Sequence, residues 1–377
     1  MDPKERNALE YLDTLLRNST LNVNDILCHF GQGCDFNDIT VSREWKTDEI
    51  ILYTAPVIFL IGVVGHLMSL LILPYFARKE SSFVYLLFLS IVDLLVLHVG
   101  LLVRWLNEVL RMDILSYSNY TCKTLTFLGF VFSDTSVWLL VVVTFERFLM
   151  LCHPFQATLI CKVGRSLKII LLVVLVMAVI NSHVFWTLKI VINNETNQQR
   201  CDSTSENSAL IYQIWPLIDA LIYFILPFIS TCVLNYKIIQ RIRRIRSRSH
   251  LVNTCRFLNT KIAQKAPKVE RKLTITMVIL SLTFVVTTLP MLAYLCVTVV
   301  LNSLSNQPMF SQERYQHFRS FAEIFMYCNH AINFYLYIAS SKRLRLGFQK
   351  RICQPMVEHL LNGHEMLEMQ DFSSRYS

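Results

Sequence analysis

Seven apolar runs, each long enough to cross a bilayer, leave this chain very few folds to choose from. They cover roughly Ile50 to Leu73, Phe83 to Trp105, Leu125 to Leu151, Ile169 to Leu188, Leu210 to Val233, Leu273 to Leu301 and Phe318 to Ile338. A helix rising ~1.5 Å per residue needs ~20 residues to span the hydrocarbon, and every run reaches that length. Hydrophobic residues make up 53% of the 377 and charged residues only 17%, which is more apolar surface than a water-soluble domain of this size uses. The alternating strands of a membrane barrel are missing, so backbone groups inside lipid have to be satisfied within helices. The expected fold is an all-α membrane protein, a seven-transmembrane helix bundle.

Basic residues set the expected orientation, because cytoplasmic loops retain Lys and Arg. From Arg241 to Lys272 there are eleven Lys or Arg against the single acid Glu270, and Lys342, Arg343, Arg345, Lys350 and Arg351 follow the seventh run. Both regions read as cytoplasmic, which by parity puts the N-terminus outside. Residues 1–49 carry ten acids against five bases and no apolar core of a cleavable signal, so the first span serves as the insertion signal. The net charge of +9 is then an inner-leaflet feature directed at membrane lipids, and no nucleic-acid partner is expected. Three sequons, at Asn18, Asn119 and Asn194, fall on the outer side and are candidate glycosylation sites, Asn119 the weakest because Cys122 is so near.

The third run carries Cys122 near one end and Glu146-Arg147 at the other, an interval of ~37 Å if helical. An arginine at the bilayer centre costs ~2.5–3.5 kcal/mol, so Arg147 belongs at the inner boundary. Of the eleven cysteines, Cys28, Cys34, Cys122 and Cys201 lie on the outer side. A bridge from Cys201 to Cys122 would fold the loop between the fourth and fifth runs over the bundle mouth; Cys28 and Cys34 leave a second, local bridge open. The expected division is an extracellular segment 1–49, a seven-helix transmembrane bundle 50–339, a short amphipathic eighth helix 340–352 with an apolar stripe of Leu344, Phe348 and Ile352, and a cytoplasmic tail 353–377. Cys353, just after the stripe, is a candidate lipidation site, and Ser373, Ser374 and Ser377 are candidate phosphosites.

Several motifs in order give the chain a family likeness. Leu89-Ser90-Ile91-Val92-Asp93-Leu94, Glu146-Arg147-Phe148 followed by Cys152-His153-Pro154, Pro227, Phe284 with Pro290, and Asn333-Phe334-Tyr335-Leu336-Tyr337 together resemble the rhodopsin-like class of G protein-coupled receptors over residues 50–352. Within that class, Cys328 to Tyr337 is similar to the seventh helix of neuropeptide receptors, particularly the FMRFamide-receptor-like group. The chain also departs from the class pattern: His66 stands where the first helix usually has Asn, the usual fourth-helix Trp is absent, and Thr287-Thr288-Leu289-Pro290 replaces Cys-Trp-x-Pro.

The resemblance implies a mechanism. Glu146 holds Arg147 at rest; ligand binding favours an outward movement of the sixth helix, opening a cleft lined by Arg147, Tyr337 and the basic third inner loop for a heterotrimeric G protein, with arrestin as a further partner. Phe284, Pro290, Asn333 and Tyr337 are the expected switch residues. Asp93 has to face the interior and find partners, because an unpaired acid in lipid is costly. By resemblance these are Ser136, Asn329 and Asn333, which hold an allosteric sodium ion in many relatives; a hydrogen-bonded network without an ion is the alternative. His66 is expected near Asp93, competing with sodium when protonated. No other cofactor is expected.

For the ligand, Gly129 occupies the place where monoamine receptors carry their amine-pairing acid, which argues against a monoamine, and the seventh run has no lysine for retinal. The remaining mouth residues are Arg104, Glu108, Trp215, Asp219, Tyr294, Glu323 and Tyr327, with Trp105 beside them; acids plus aromatics suit the basic, aromatic end of an extracellular peptide. The alternative is that Arg104 or Glu108 pairs with the other acids to hold helices together, and Asp134 bonds neighbouring hydroxyls. A receptor for a lipid or other small molecule, or a divergent receptor with weak G protein coupling, is the second reading. A transporter would show an internal repeat and Gly- or Pro-broken helices, and an intramembrane enzyme a catalytic constellation; neither is present in the sequence.

Overall fold

The computed structural model describes residues 48–192, 199–255, 265–304, 312–349, 351 and 354, with backbone only at 205, 245–255, 265–277, 299–304 and 312–315. Asn18, Asn194, Cys28, Cys34, Cys353 and the tail serines lie outside the described residues. Among the described residues, six helices are long and apolar enough to cross a membrane: Glu49–Ala77, Ser81–Leu110, Asn119–Cys152, Val163–Thr187, Leu210–Arg244 and Val278–Thr298, here spans 1 to 6. Span 6 is the middle of a longer helix, Lys265–Leu304. The seventh run is also helical, as Gln312–Ala331 and Asn333–Ser340 on either side of a break at Ile332; together these form span 7. It misses the apolar standard of the others because Arg319, Glu323, Asn329, His330 and Asn333 all fall on it.

Apolar side chains point both ways, as lipid demands. One set fills a common core, including Leu86, Leu89, Val137, Leu139, Val143, Phe284 and Tyr337. Another faces outward, including Leu60, Leu67 and Leu71 on span 1 and Leu171, Leu172, Leu175 and Val179 on span 4. In water that second set would be a large exposed apolar patch; in a bilayer it is the solvated surface.

Helix ends and irregular turns shape the bundle. Asp48 caps span 1, its Oδ1 accepting from Ile51 N at 3.4 Å, and Ser118 caps span 3, its Oγ accepting from Thr121 N at 3.0 Å. Span 2 widens into a π turn at Leu97–Leu102, and span 5 does so at Leu210–Ile214 and Ala220–Ile225. At Gly100 the span 2 turn meets Tyr327 so closely that a Cβ there would lie 2.8 Å from the Tyr327 hydroxyl.

Each end of the bundle carries its own closure. At the Cys122 end, β1 (Leu188–Ile192) pairs antiparallel with β2 (Gln199–Ser203), with Ile190 opposite Cys201. Cys201 is bonded to Cys122 across 79 residues of sequence, a loop whose closure stabilises by ~4 kcal/mol in the chain-entropy account. Cys201 N donates to Ser116 Oγ at 3.0 Å and Ile190 N to Asn119 Oδ1 at 2.8 Å, so the hairpin is stitched to the start of span 3. At the Arg147 end, a short helix, Lys342–Phe348, turns back onto spans 1 and 2. Its Leu344 is buried, Arg343 pairs with Glu80 and lies over the rings of Phe76 and Phe83, and Phe348 meets Phe334.

Candidate functional site

The polar residues inside the bundle gather at three levels. At the Cys122 end, Arg104 is the hub: it pairs with Glu108, with Glu323 at 3.3 Å and with Asp48 at 3.3 Å. Glu323 is also held by Arg319 at 2.7 Å, Asp48 accepts from Ser320, and Asp48 N donates to Glu108 at 2.9 Å. Arg104, Glu108 and Glu323 are thus brought together in one network that ties spans 1, 2 and 7, the helix-holding arrangement rather than acids open to a ligand. Trp105 adds a bond from Nε1 to Leu52 O at 3.1 Å, and Tyr327 lies one turn from Glu323 against Gly100.

Trp215 and Asp219 belong to a different group, on span 5. Trp215 meets His183 in a tilted contact at 3.7 Å between ring centroids and Phe130 edge-on at 6.2 Å. Asp134 follows Phe130 by one helical turn on span 3, and Asp219 follows Trp215 by one turn on span 5, which runs in the same direction. Asp134 Oδ2 accepts from Asn181 Nδ2 at 2.7 Å, not from neighbouring hydroxyls, and its buried Oδ1 has no partner among the described residues. No side-chain atom lies within 4 Å of where a Gly129 Cβ would stand. Tyr294, on span 6, is buried and faces Phe318 at 6.0 Å.

The middle level is built around Asp93, which is fully buried. Ser136 Oγ donates to its Oδ1 at 2.5 Å and Asn333 Nδ2 to its Oδ2 at 2.6 Å. The third donor is His330, whose Nδ1 lies 2.8 Å from Asp93 Oδ1. Asn329 is buried but makes no described bond to Asp93. His66 is likewise fully buried, and its Nε2 donates to the His330 carbonyl at 2.8 Å rather than to Asp93. Ser136 and Asn333 also carry oxygen lone pairs of the kind a hard cation takes, but His330, which stands at Asp93 Oδ1, offers an N–H and no oxygen from its ring, so the residues present do not fit the expected sodium ion.

The Arg147 end corrects one pairing. Both carboxylate oxygens of Glu146 accept from Ser81 and Ser82 at the start of span 2, and Glu146–Arg147 is not among the ion pairs of the described residues. Arg147 is buried with Nη1 3.6 Å from Met150 Sδ. Phe284 is buried in the core, and the helix is unbroken through Pro290. Thr288, in the place of the missing tryptophan, turns its hydroxyl back to Phe284 O at 2.7 Å, and Thr287 bonds Thr283 O at 2.8 Å. A shallow basic cavity of about 250 Å³ lies nearby, lined by Phe148, His153, Lys237, Arg241 and Arg244 among others.

A bundle of this build, with a disulfide-held hairpin at one end and buried Glu146 and Arg147 side by side in sequence at the other, defines a seven-transmembrane receptor. The chain belongs to the rhodopsin family: the family model described as 7 transmembrane receptor (rhodopsin family) matches residues 66–337. It is 25% identical over 331 residues to the thyrotropin-releasing hormone receptor of Gallus gallus, covering 82% of this chain and 80% of that one. To the human receptor of the same name it is 25% identical over 328 residues, at 82% and 79% coverage. The human histamine H2 receptor is 22% identical over 302 residues, at 79% and 77% coverage. The chain is accordingly a multi-pass membrane receptor and not an enzyme.

Sequence reasoning missed His330, Ser81, Ser82, Asp48, Arg319 and Asn181. A signal existed for His330: a histidine in an apolar run, three residues before Asn333, has to be partnered. For Asp48 there was none inside the apolar runs, because it caps the start of span 1; Arg319 stands inside the seventh run, one helical turn before Glu323, where an i,i+4 pair could have been read.

Proposed function

We propose that this receptor stands in the plasma membrane with its N-terminus outside, binds an extracellular ligand carrying a basic group, and passes the signal to a heterotrimeric G protein by outward movement of span 6. The observation that carries the ligand assignment is the pair Asp134 and Asp219, one helical turn past Phe130 and Trp215, with His183 against Trp215. Two carboxylates within the bundle favour a cation, and the aromatic rings one turn away suit a cationic or aromatic neighbour. Glu323 and Asp48 already have cations, so a basic ligand finds its acid on spans 3 and 5 rather than on span 7.

A neuropeptide is the first reading, in keeping with relatives named for a releasing hormone. The FMRFamide-type likeness rests on the span 7 residues alone. A small amine is the second reading, favoured by the histamine receptor among the relatives together with Asp134 and Asp219; Gly129 still removes the usual amine acid. The basic cavity at Arg241 and Arg244 suits the G protein, and arrestin and anionic lipids are further partners of that face.

The test expresses the receptor with a promiscuous G protein and records calcium against amidated peptides and amines, with Arg147→Ala as the signalling control. An agonist whose potency falls at least tenfold in Asp219→Asn, but not in Glu323→Gln, supports the assignment. Unchanged potency in Asp219→Asn and Asp134→Asn overturns it.

A further inference from the structure

We propose that His330 takes the place of the sodium ion at Asp93, so that the resting state of this receptor is held by a side chain of its own and is insensitive to sodium. Asp93 accepts three bonds, from Ser136, His330 and Asn333. A carboxylate has no proton to give, so the His330 Nδ1 at 2.8 Å carries the proton in this hydrogen-bond network. On the other side of the ring, Nε2 lies 3.1 Å from the hydroxyl of Tyr223, which donates to it when Nδ1 is the protonated nitrogen.

The backbone of His330 is fixed as well as its ring. His66 Nε2 donates to the His330 carbonyl at 2.8 Å, close to the break at Ile332. His330 thereby links span 7 through its ring to Asp93 on span 2, Ser136 on span 3 and Tyr223 on span 5, and through its carbonyl to His66 on span 1. His330 is fully buried, like Asp93, so the ring occupies interior volume beside the carboxylate instead of lying at its rim. An ion and this ring compete for the same face of Asp93, and only the ring is covalently tethered there.

This makes His330 a positioning residue whose role is separable from mere packing by ion identity. Full-length receptor in detergent is unfolded thermally in sodium chloride and in choline chloride at equal ionic strength, which needs no agonist. The wild type is expected to show the same midpoint in both salts. His330→Ser opens the oxygen face and leaves a hydroxyl in place of the N–H. Its midpoint is expected to fall in choline and to recover by several degrees, saturably, as sodium replaces choline. Asp93→Asn in the His330→Ser background should abolish that recovery.

A saturable, sodium-specific rise in the wild type overturns the proposal, and this arm needs no variant to fold. Folded His330→Ser without any sodium response also overturns it, because the ring would then not be what keeps the ion out. Should His330→Ser fail to fold, His330→Asn, which keeps an N–H donor, takes the second arm: it is expected to stay sodium-insensitive, and a sodium response there counts against the donor argument.

Discussion

Tyr337 is almost fully buried, and its hydroxyl has no hydrogen-bond partner among the described residues. Leaving a buried polar group unsatisfied costs ~1–3 kcal/mol, and Tyr337 stands at the level where the G protein cleft is expected to open. Tyr337→Phe removes the stranded oxygen while keeping the ring. The expected outcome is a melting midpoint equal to or above that of the wild type in the ligand-free receptor, together with weaker calcium responses once an agonist is in hand; a clear fall in the midpoint would mean that the hydroxyl is bonded at rest. Cys161, in the loop between spans 3 and 4, gives a residue-scale prediction in pH. Burial pushes its thiol up to about 11, with the Glu146 carboxylate nearby adding to the shift. A raised thiol pKa means a smaller thiolate fraction at any given pH below it, so maleimide labelling at pH 8 should be slow and should climb as pH rises toward 11. Glu146→Gln removes the secondary cause only, so it should speed labelling modestly at constant pH.

At the scale of elements, spans 1 and 7 approach through a glycine. A Cβ on Gly62 would collide with Leu97 Cδ1 and sit 3.1 and 3.2 Å from the Cβ and Cα of Ala331. Leu97 can turn away, but the Ala331 backbone cannot, which is the usual reason for small residues between membrane helices. Gly62→Val is expected to cost ~1–3 kcal/mol through overpacking, read as lower surface expression and a lower midpoint in detergent. Gly164, with nothing within 4 Å of its Cβ direction, is the control: Gly164→Ala should leave both unchanged or slightly raised. The same helices show what a sequence can and cannot disclose. Length and apolarity gave away spans 1 to 6, because lipid exposure leaves its mark on every turn. Span 7 was read from length and apolarity too, yet its inward face is polar enough that it falls short of the apolar standard the other six meet. Asp93, Ser136 and Asn333 were legible through their likeness to the family. The donor role of His330 was not, because it arises only when packing sets residue 330 opposite residue 93. Likewise Glu146 meets Ser81 and Ser82 through the contact between spans 2 and 3, which adjacency in the sequence pointed away from.

Across the whole molecule, the two ends are held differently, and this bears on where a glycan can be attached. The Cys122 end is fastened by the disulfide, the Arg104 network and the hairpin bonds of Cys201 and Ile190. Asn119 sits inside this fastening, in the first turn of span 3 next to its cap Ser118, with Oδ1 accepting from the Ile190 backbone. Sequon attachment needs the amide to enter a transferase on an extended chain, and the helix and hairpin take Asn119 out of that conformation as they form. Asn18 and Asn194 lie outside the described residues and remain the candidate sites. With the N-terminus outside as proposed, glycosidase treatment is expected to shift the mobility of the full-length receptor, and Asn18→Gln with Asn194→Gln to abolish the shift. Asn119→Gln should leave the glycan load unchanged while loosening the hairpin. A residual shift in the double variant, lost when Asn119→Gln is added, would mean that glycan transfer precedes closure of this end. No shift in the wild type at confirmed surface expression would count against the outside placement of these loops.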